Sequence, residues 1–66
     1  MTITHTVEPF DVGRLDRVVR RLTELSHNIV RGVIDHGGVA VNGEPQEDGA
    51  YQLALGDKLE IRYEPG

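Results

Sequence analysis

The hydrophobic period changes twice along this chain, and that change constrains its fold more than any other feature. Thr2 to Val7 alternates threonine with Ile3, His5 and Val7, the period-two pattern of a half-buried strand, and Pro9 ends it. Leu15, Val18, Val19, Leu22 and Leu25 then recur at helical spacing. At about 100° per residue they occupy one stripe of about 120°, the signature of an amphipathic helix. Ser26 is placed to cap a second helix, with Ile29, Val30, Val33 and Ile34 as its buried face and Gly37 as its C′ residue. Beyond Gly38 the period returns to two. Two helical stripes flanked by strands in so short a chain specify the α+β class. The expected architecture is a helix-turn-helix-like pair on a small, mostly antiparallel sheet of about three to five strands.

Boundary residues refine this outline. Asp11 is the expected N-cap of the first helix, with Phe10 and Leu15 as a hydrophobic staple. Only a residue or two separates the helices. Arg31 and Asp35, four apart on the second, are spaced to pair weakly. Val39 and Val41 alternate with Ala40 and lead into an Asn42-Gly43 turn. Residues 43–49 read as a polar loop. Tyr51, Leu53 and Leu55 alternate with Gln52 and Ala54, and Gly56-Asp57 turns the chain into a last strand with Leu59, Ile61 and Tyr63 on one face.

Sixty-six residues predict a single domain spanning 1–66. Such a chain buries only about 60% of its unfolded surface, so a stability of roughly 3–5 kcal/mol is expected. The chain has no cysteine, which removes disulfides, thiolate nucleophiles and cysteine-based zinc sites together. The N-terminus lacks the positive start and apolar core of a signal peptide, and no apolar run reaches membrane-spanning length. A soluble cytoplasmic protein, with no membrane partner, is the expectation. The net charge of −4 is unevenly spread. Residues 14–31 hold five arginines against Asp16 and Glu24, a balance of +3, whereas residues 32–66 hold seven acids against Lys58 and Arg62, a balance of −5. Residues 1–13 add −2.

The basic segment coincides with a set of short motifs. Arg14-Leu15-Asp16-x-Val18-Val19-x-Arg21-Leu22 is followed by Ser26, then Asp35-His36-Gly37-Gly38, then Val41-Asn42-Gly43, and later Gly56-Asp57 before a strand. In that order and spacing, over about residues 13–62, the chain resembles the small RNA-binding domain named after ribosomal protein S-four, the S4 domain. The same module precedes the catalytic domain of many pseudouridine synthases and follows that of tyrosyl-tRNA synthetases. Arg-Leu-Asp after an N-terminal strand resembles the pseudouridine synthase branch. The resemblance implies a non-catalytic module, acting in translation, that recognises structured ribosomal or transfer RNA. Enzymes that carry it hold their catalytic groups in a separate, larger domain, so no catalysis and no cofactor are expected here.

The resemblance implies RNA-contacting positions at Arg14, Arg17, Arg21, Ser26, His27, Arg31 and Asn42. The three arginines fall within about 60° of arc beside the apolar stripe of the first helix. A planar guanidinium fork suits phosphate and stacks on bases of folded RNA. The N-terminus of the second helix, at Ser26 and His27, offers free N–H groups and a partial positive charge. A plainer reading has the arginines covering the core edge with their alkyl stems and pairing with Asp16 or Glu24. Ser26 is first a cap, and Asn42-Gly43 is first a turn that tolerates positive φ. Arg20 points further round and reads as solvated surface. Relatives usually carry arginine where this chain has His27, and Gly32, Asp35 and Gly38 replace groups that are often basic or amide-bearing. Asp35 repels phosphate, so weaker RNA affinity than in a typical relative is expected. Gly32 costs a helix interior about 1 kcal/mol relative to alanine; close approach of a ligand and a tolerant position account for it equally.

Other chemistries find little support. His5, His27 and His36 lack metal-ligand spacing, so no metal site is expected. His5, in phase with Ile3 and Val7, is expected to be packed and hydrogen-bonded. No base or acid is spaced to activate Ser26. Gly37-Gly38 follows a helix rather than a strand, the reverse of a phosphate loop. Glu44, Glu47 and Asp48 read as a solvated loop. A competing function is a protein-interaction module that keeps the fold without RNA, consistent with the net charge and Asp35. A weaker one is a ubiquitin-like sulfur carrier acting through Gly66, although that fold places a single helix between hairpins.

Overall fold

The computed structural model of the chain describes residues 1–64. Alternating threonine and apolar residues form β1 (Thr2–Thr6), which a 3-10 turn at Pro9–Asp11 follows. A two-residue strand β2 (Gly13–Arg14) leads directly into α1 (Leu15–Thr23), and α2 (His27–Asp35) follows after a three-residue break. The remainder is β3 (Val39–Val41), β4 (Glu44–Pro45), β5 (Gln52–Leu53) and β6 (Lys58–Arg62). Four strands pair in the order β1-β6-β3-β4, every neighbour antiparallel, while β2 and β5 form a separate two-stranded ladder. This is the expected α+β arrangement of two helices on a small antiparallel sheet.

The stripes read from the sequence supply the core. Leu15, Val18 and Val19 of α1 and Val30 and Ile34 of α2 pack on Val39, Val41, Leu53, Leu59, Ile61 and Val7. Leu22, Leu25, Val33, Ile3, Tyr51 and Tyr63 close its edges. The helix-turn-helix geometry rests on local stops. Glu24 enters the left-handed region at φ 58°, and its N–H bonds to the Arg20 carbonyl. α1 therefore ends two residues before Leu25, which packs on the core from the connection instead. Ser26 caps α2 as expected, accepting a hydrogen bond from Ile29 N–H at 3.4 Å. At the far end the Gly37 and Gly38 N–H groups bond to the carbonyls of Ile34 and Val33, closing a Schellman motif with Gly37 at φ 78°. Gly38 has a second constraint: a Cβ there would lie 2.6 Å from the Arg62 carbonyl oxygen, so the chain passes from α2 to β3 only with glycine.

Several local expectations are corrected. Asp11 is not the N-cap of α1. It is buried at 2% exposure in the 3-10 turn, because β2 intervenes before the helix, and Phe10 is 68% exposed rather than stapled against Leu15. Ile29 is also exposed, since α2 faces the core through Val30 and Ile34 and only the edge of that stripe reaches Ile29. The Arg31–Asp35 pair does not form within 4 Å; the ion pairs among the described residues join other partners. Residues 43–49 are not all loop, because the Asn42-Gly43 turn, with φ 54° and 83°, lets Glu44–Pro45 pair with β3. The strand expected over Tyr51 to Leu55 shortens to Gln52–Leu53. Asp57 ends it by accepting the Ala54 N–H and turning the chain, which leaves Leu55 exposed. Pro65 and Gly66, on which the sulfur-carrier reading rests, lie outside the described residues.

Candidate nucleic-acid interface

The chain reaches the start of α1 through two backbone anchors. Leu15 N–H donates to the Tyr51 carbonyl at 2.9 Å and Asp16 N–H to the Gly49 carbonyl at 3.0 Å. Two of the unpaired N–H groups at this helix start are thereby satisfied by residues more than thirty positions away. The anchors seat the 46–50 loop beside α1, and two grooves of about 350 Å³ each flank the junction, with Arg14 on both.

The first groove brings together the three arginines singled out in the sequence. Arg14, Arg17 and Arg21 line it with Phe10, Asp11 and Val12. Arg14 belongs to β2 rather than α1, so the convergence comes from the bend into the helix as well as from helical spacing. Arg14 donates to both Asp16 oxygens, at 3.3 and 3.2 Å. Arg21 donates to Asp11 Oδ1 and lies 4.9 Å from the centre of the Phe10 ring. Asp11 Oδ2 in turn accepts from Glu8 N–H at 3.0 Å and sits 2.6 Å from His5 Nε2. An ionised carboxylate only accepts, so Nε2 of His5 carries the proton in this bond. His5 is therefore half-buried and hydrogen-bonded, as its phase in β1 implied. Arg17 has no carboxylate within 4 Å among the described residues, as is also the case for Arg20.

The second groove lies between α1, α2 and the 46–50 loop. Arg14, His27 and Arg31 line it, but so do Asp16, Asp35, Glu47 and Asp48. The positions expected to grip RNA from α2 thus face four carboxylates. Ser26 serves as the α2 cap, and its hydroxyl oxygen is taken by Ile29 N–H.

Asn42 stands apart from both grooves. Its Nδ2 donates to Asp57 Oδ1 at 3.1 Å, its Oδ1 accepts from Lys58 N–H at 2.9 Å, and its own N–H bonds to the Lys58 carbonyl at 2.7 Å. These bonds tie the β3–β4 turn to the start of β6, so the amide is committed within the chain. The bonds from Ala54 N–H and from Asn42 hold the Asp57 carboxyl below the ordinary carboxylate range. Gly32 has open space where a Cβ would sit, so no close approach within the chain accounts for it.

Sequence reasoning did not single out Phe10, Val12 and Asp11 as site residues. The signal was faint: an aromatic next to a proline, outside both apolar stripes. Among the described residues no group of three or more His, Cys, Asp or Glu side chains is arranged to hold a metal ion, and no described helix is long and apolar enough to cross a membrane. No curated protein matches the chain significantly. A family model described as the S4 domain matches residues 13–59, from the start of β2 into β6. That span contains both helices, the anchoring loop and the arginines of the first groove, and the chain belongs to the S4 domain family, whose members are generally RNA-binding.

Proposed function

We propose that residues 1–66 form one non-catalytic RNA-binding module that recognises structured ribosomal or transfer RNA, in the cytoplasm, through the groove lined by Arg14, Arg17 and Arg21. The observation that carries this reading is the convergence of three guanidinium groups on one groove of a chain whose net charge is −4. Positive charge is scarce here, and its concentration on one face is the electrostatic footprint of a phosphate ligand. Arg17, exposed and without a carboxylate partner among the described residues, is the residue best placed to neutralise phosphate. The pseudouridine synthase branch is the proposed context, with chemistry supplied by groups outside these residues.

One observation favours a second reading, a protein-interaction module. The groove on α2 carries Asp16, Asp35, Glu47 and Asp48 against two arginines, and so repels phosphate. A titration of labelled ribosomal and transfer RNA at about 50 and 200 mM salt separates the two. Binding that weakens with salt, at a slope implying a few phosphate contacts, is the expected result. Absence of binding at the lower salt by protein with a native circular dichroism spectrum overturns the RNA reading and favours the protein one.

A further inference from the structure

The first groove contains more than charge. Phe10, the only phenylalanine in the chain, is 68% exposed, and Val12 beside it is 55% exposed. Phe10 sits in the 3-10 turn next to Pro9, whose ring fixes φ and stiffens the backbone that presents it. The Arg21 guanidinium lies 4.9 Å from the ring centre. Arg21 is not a free cation that happens to rest there: Asp11 grips it, and Asp11 is itself buried and held by His5 and by Glu8 N–H. The Phe10–Arg21 pair is therefore oriented from beneath by a fully satisfied polar network.

From this arrangement we propose that Phe10 and Arg21 form a preset stacking platform for one unpaired base, with Arg17 and Arg14 beside it on the flanking phosphates. The proposal rests on the RNA-binding reading and adds a ligand class to it, namely structured RNA with an extruded or bulged nucleotide. Sequence-tolerant recognition of unstacked bases uses aromatic faces and guanidinium planes, and both are present here. Because Asp11 is buried and holds Arg21 in place, the role of Arg21 is planar stacking rather than phosphate pairing. The exposed Arg14–Asp16 pair, at 3.2 Å, is by contrast weak in water and exchanges for phosphate. A basic peptide is disfavoured by the three arginines, and fully paired RNA has no free base face to offer Phe10. Phe10 and Asp11 also precede the region matched by the family model, which begins at residue 13.

The test compares two labelled RNA hairpins with the same compact loop at about 50 mM salt, one with a fully paired stem and one whose stem carries a single unpaired adenosine. Wild type, Phe10→Leu and Phe10→Trp are titrated with each. Phe10→Leu is expected to weaken binding of the bulged hairpin by about 5- to 50-fold and that of the paired hairpin by less than about 2-fold. Phe10→Trp is expected to restore the preference. The wild-type chain has no tryptophan, so the fluorescence of the variant reports the platform directly, and quenching by the bulged hairpin alone is expected. A folded Phe10→Leu variant that binds the bulged hairpin as wild type does, or weakens equally on both, overturns the platform and leaves the RNA reading standing. Wild type that binds neither hairpin overturns the RNA reading, and the platform with it.

Discussion

The two grooves that share Arg14 have similar size and opposite character. On the Phe10 side the only carboxylate among the described lining residues, Asp11, is buried and points inward, where it fixes Arg21 and leaves the groove surface basic. On the α2 side, Asp35, Glu47 and Asp48 are exposed around His27 and Arg31. A buried acid next to an arginine acts as a positioning device, whereas exposed acids next to arginines cancel their field. The difference shows how an acidic chain can keep one phosphate-attracting face: the sign of a groove depends on where its carboxylates are buried, not on how many the chain has.

The largest expected effect comes from removing the buried acid. Asp11→Ala leaves the His5, Glu8 N–H and Arg21 donors without their acceptor and should cost about 2–3 kcal/mol. In a domain of this size that lowers Tm by roughly 10–20 °C. Asp48→Ala, in the other groove, removes one exposed bond to Ala50 N–H and should cost less than about 1 kcal/mol. Equal losses of Tm in the two variants would erase the distinction drawn between the two acids.

Next in size is RNA affinity. Arg14→Gln combined with Arg17→Gln should weaken binding about 10- to 30-fold at low salt and reduce the log–log salt slope by about two. Arg31→Gln, on the acidic side, should change affinity by less than about 3-fold. Replacing Arg21 as well would be a poorer test, because it breaks the Asp11 pair and confuses binding with folding. A larger effect from Arg31 than from the double variant would move the interface to the α2 groove. In the opposite direction, Asp35→Asn with Glu47→Gln should strengthen RNA binding by about 2- to 5-fold, the screened gain from removing two exposed like charges. No gain would mean that RNA does not reach that side.

The smallest effect is a pH dependence away from both grooves. Asp57 has a folded-state pKa below its ordinary value, so its contribution to stability is present in full above about pH 4. That contribution disappears as pH falls from there through the lowered folded value. Thermal melts of wild type and Asp57→Asn between about pH 7 and 3 should therefore converge at the acid end. Curves that stay parallel throughout would show that Asp57 contributes nothing through its charge.

Much of this molecule is legible in its sequence where one short-range rule governs. The stripe of Leu15, Val18 and Val19, the Ser26 cap, the Gly37 stop, the Asn42-Gly43 turn and the Leu59 and Ile61 strand all obey local periodicity or local φ preference. The family motif is equally local. Failures cluster where a distant segment intervenes. Asp11 looks like a cap because it precedes an apolar stripe, but the pairing of Gly13–Arg14 with Gln52–Leu53 occupies the space in between. Arg31 and Asp35 have the right spacing to pair and do not.

Local rules along the chain suffice for the class of the fold, the helix-turn-helix-like pair, the alternation of the strands and the segment that holds the positive charge. These follow from hydrophobic period and backbone preference, which act over a few residues. Which arginines share a groove, which carboxylates face them, and the exclusion of Phe10 from the core emerge only in the assembled fold. Those outcomes depend on residues 46–51 reaching back to the start of α1, and on β1 bringing His5 beside Asp11. Electrostatic fields and burial are set by three-dimensional neighbours, and no local rule along the chain specifies them.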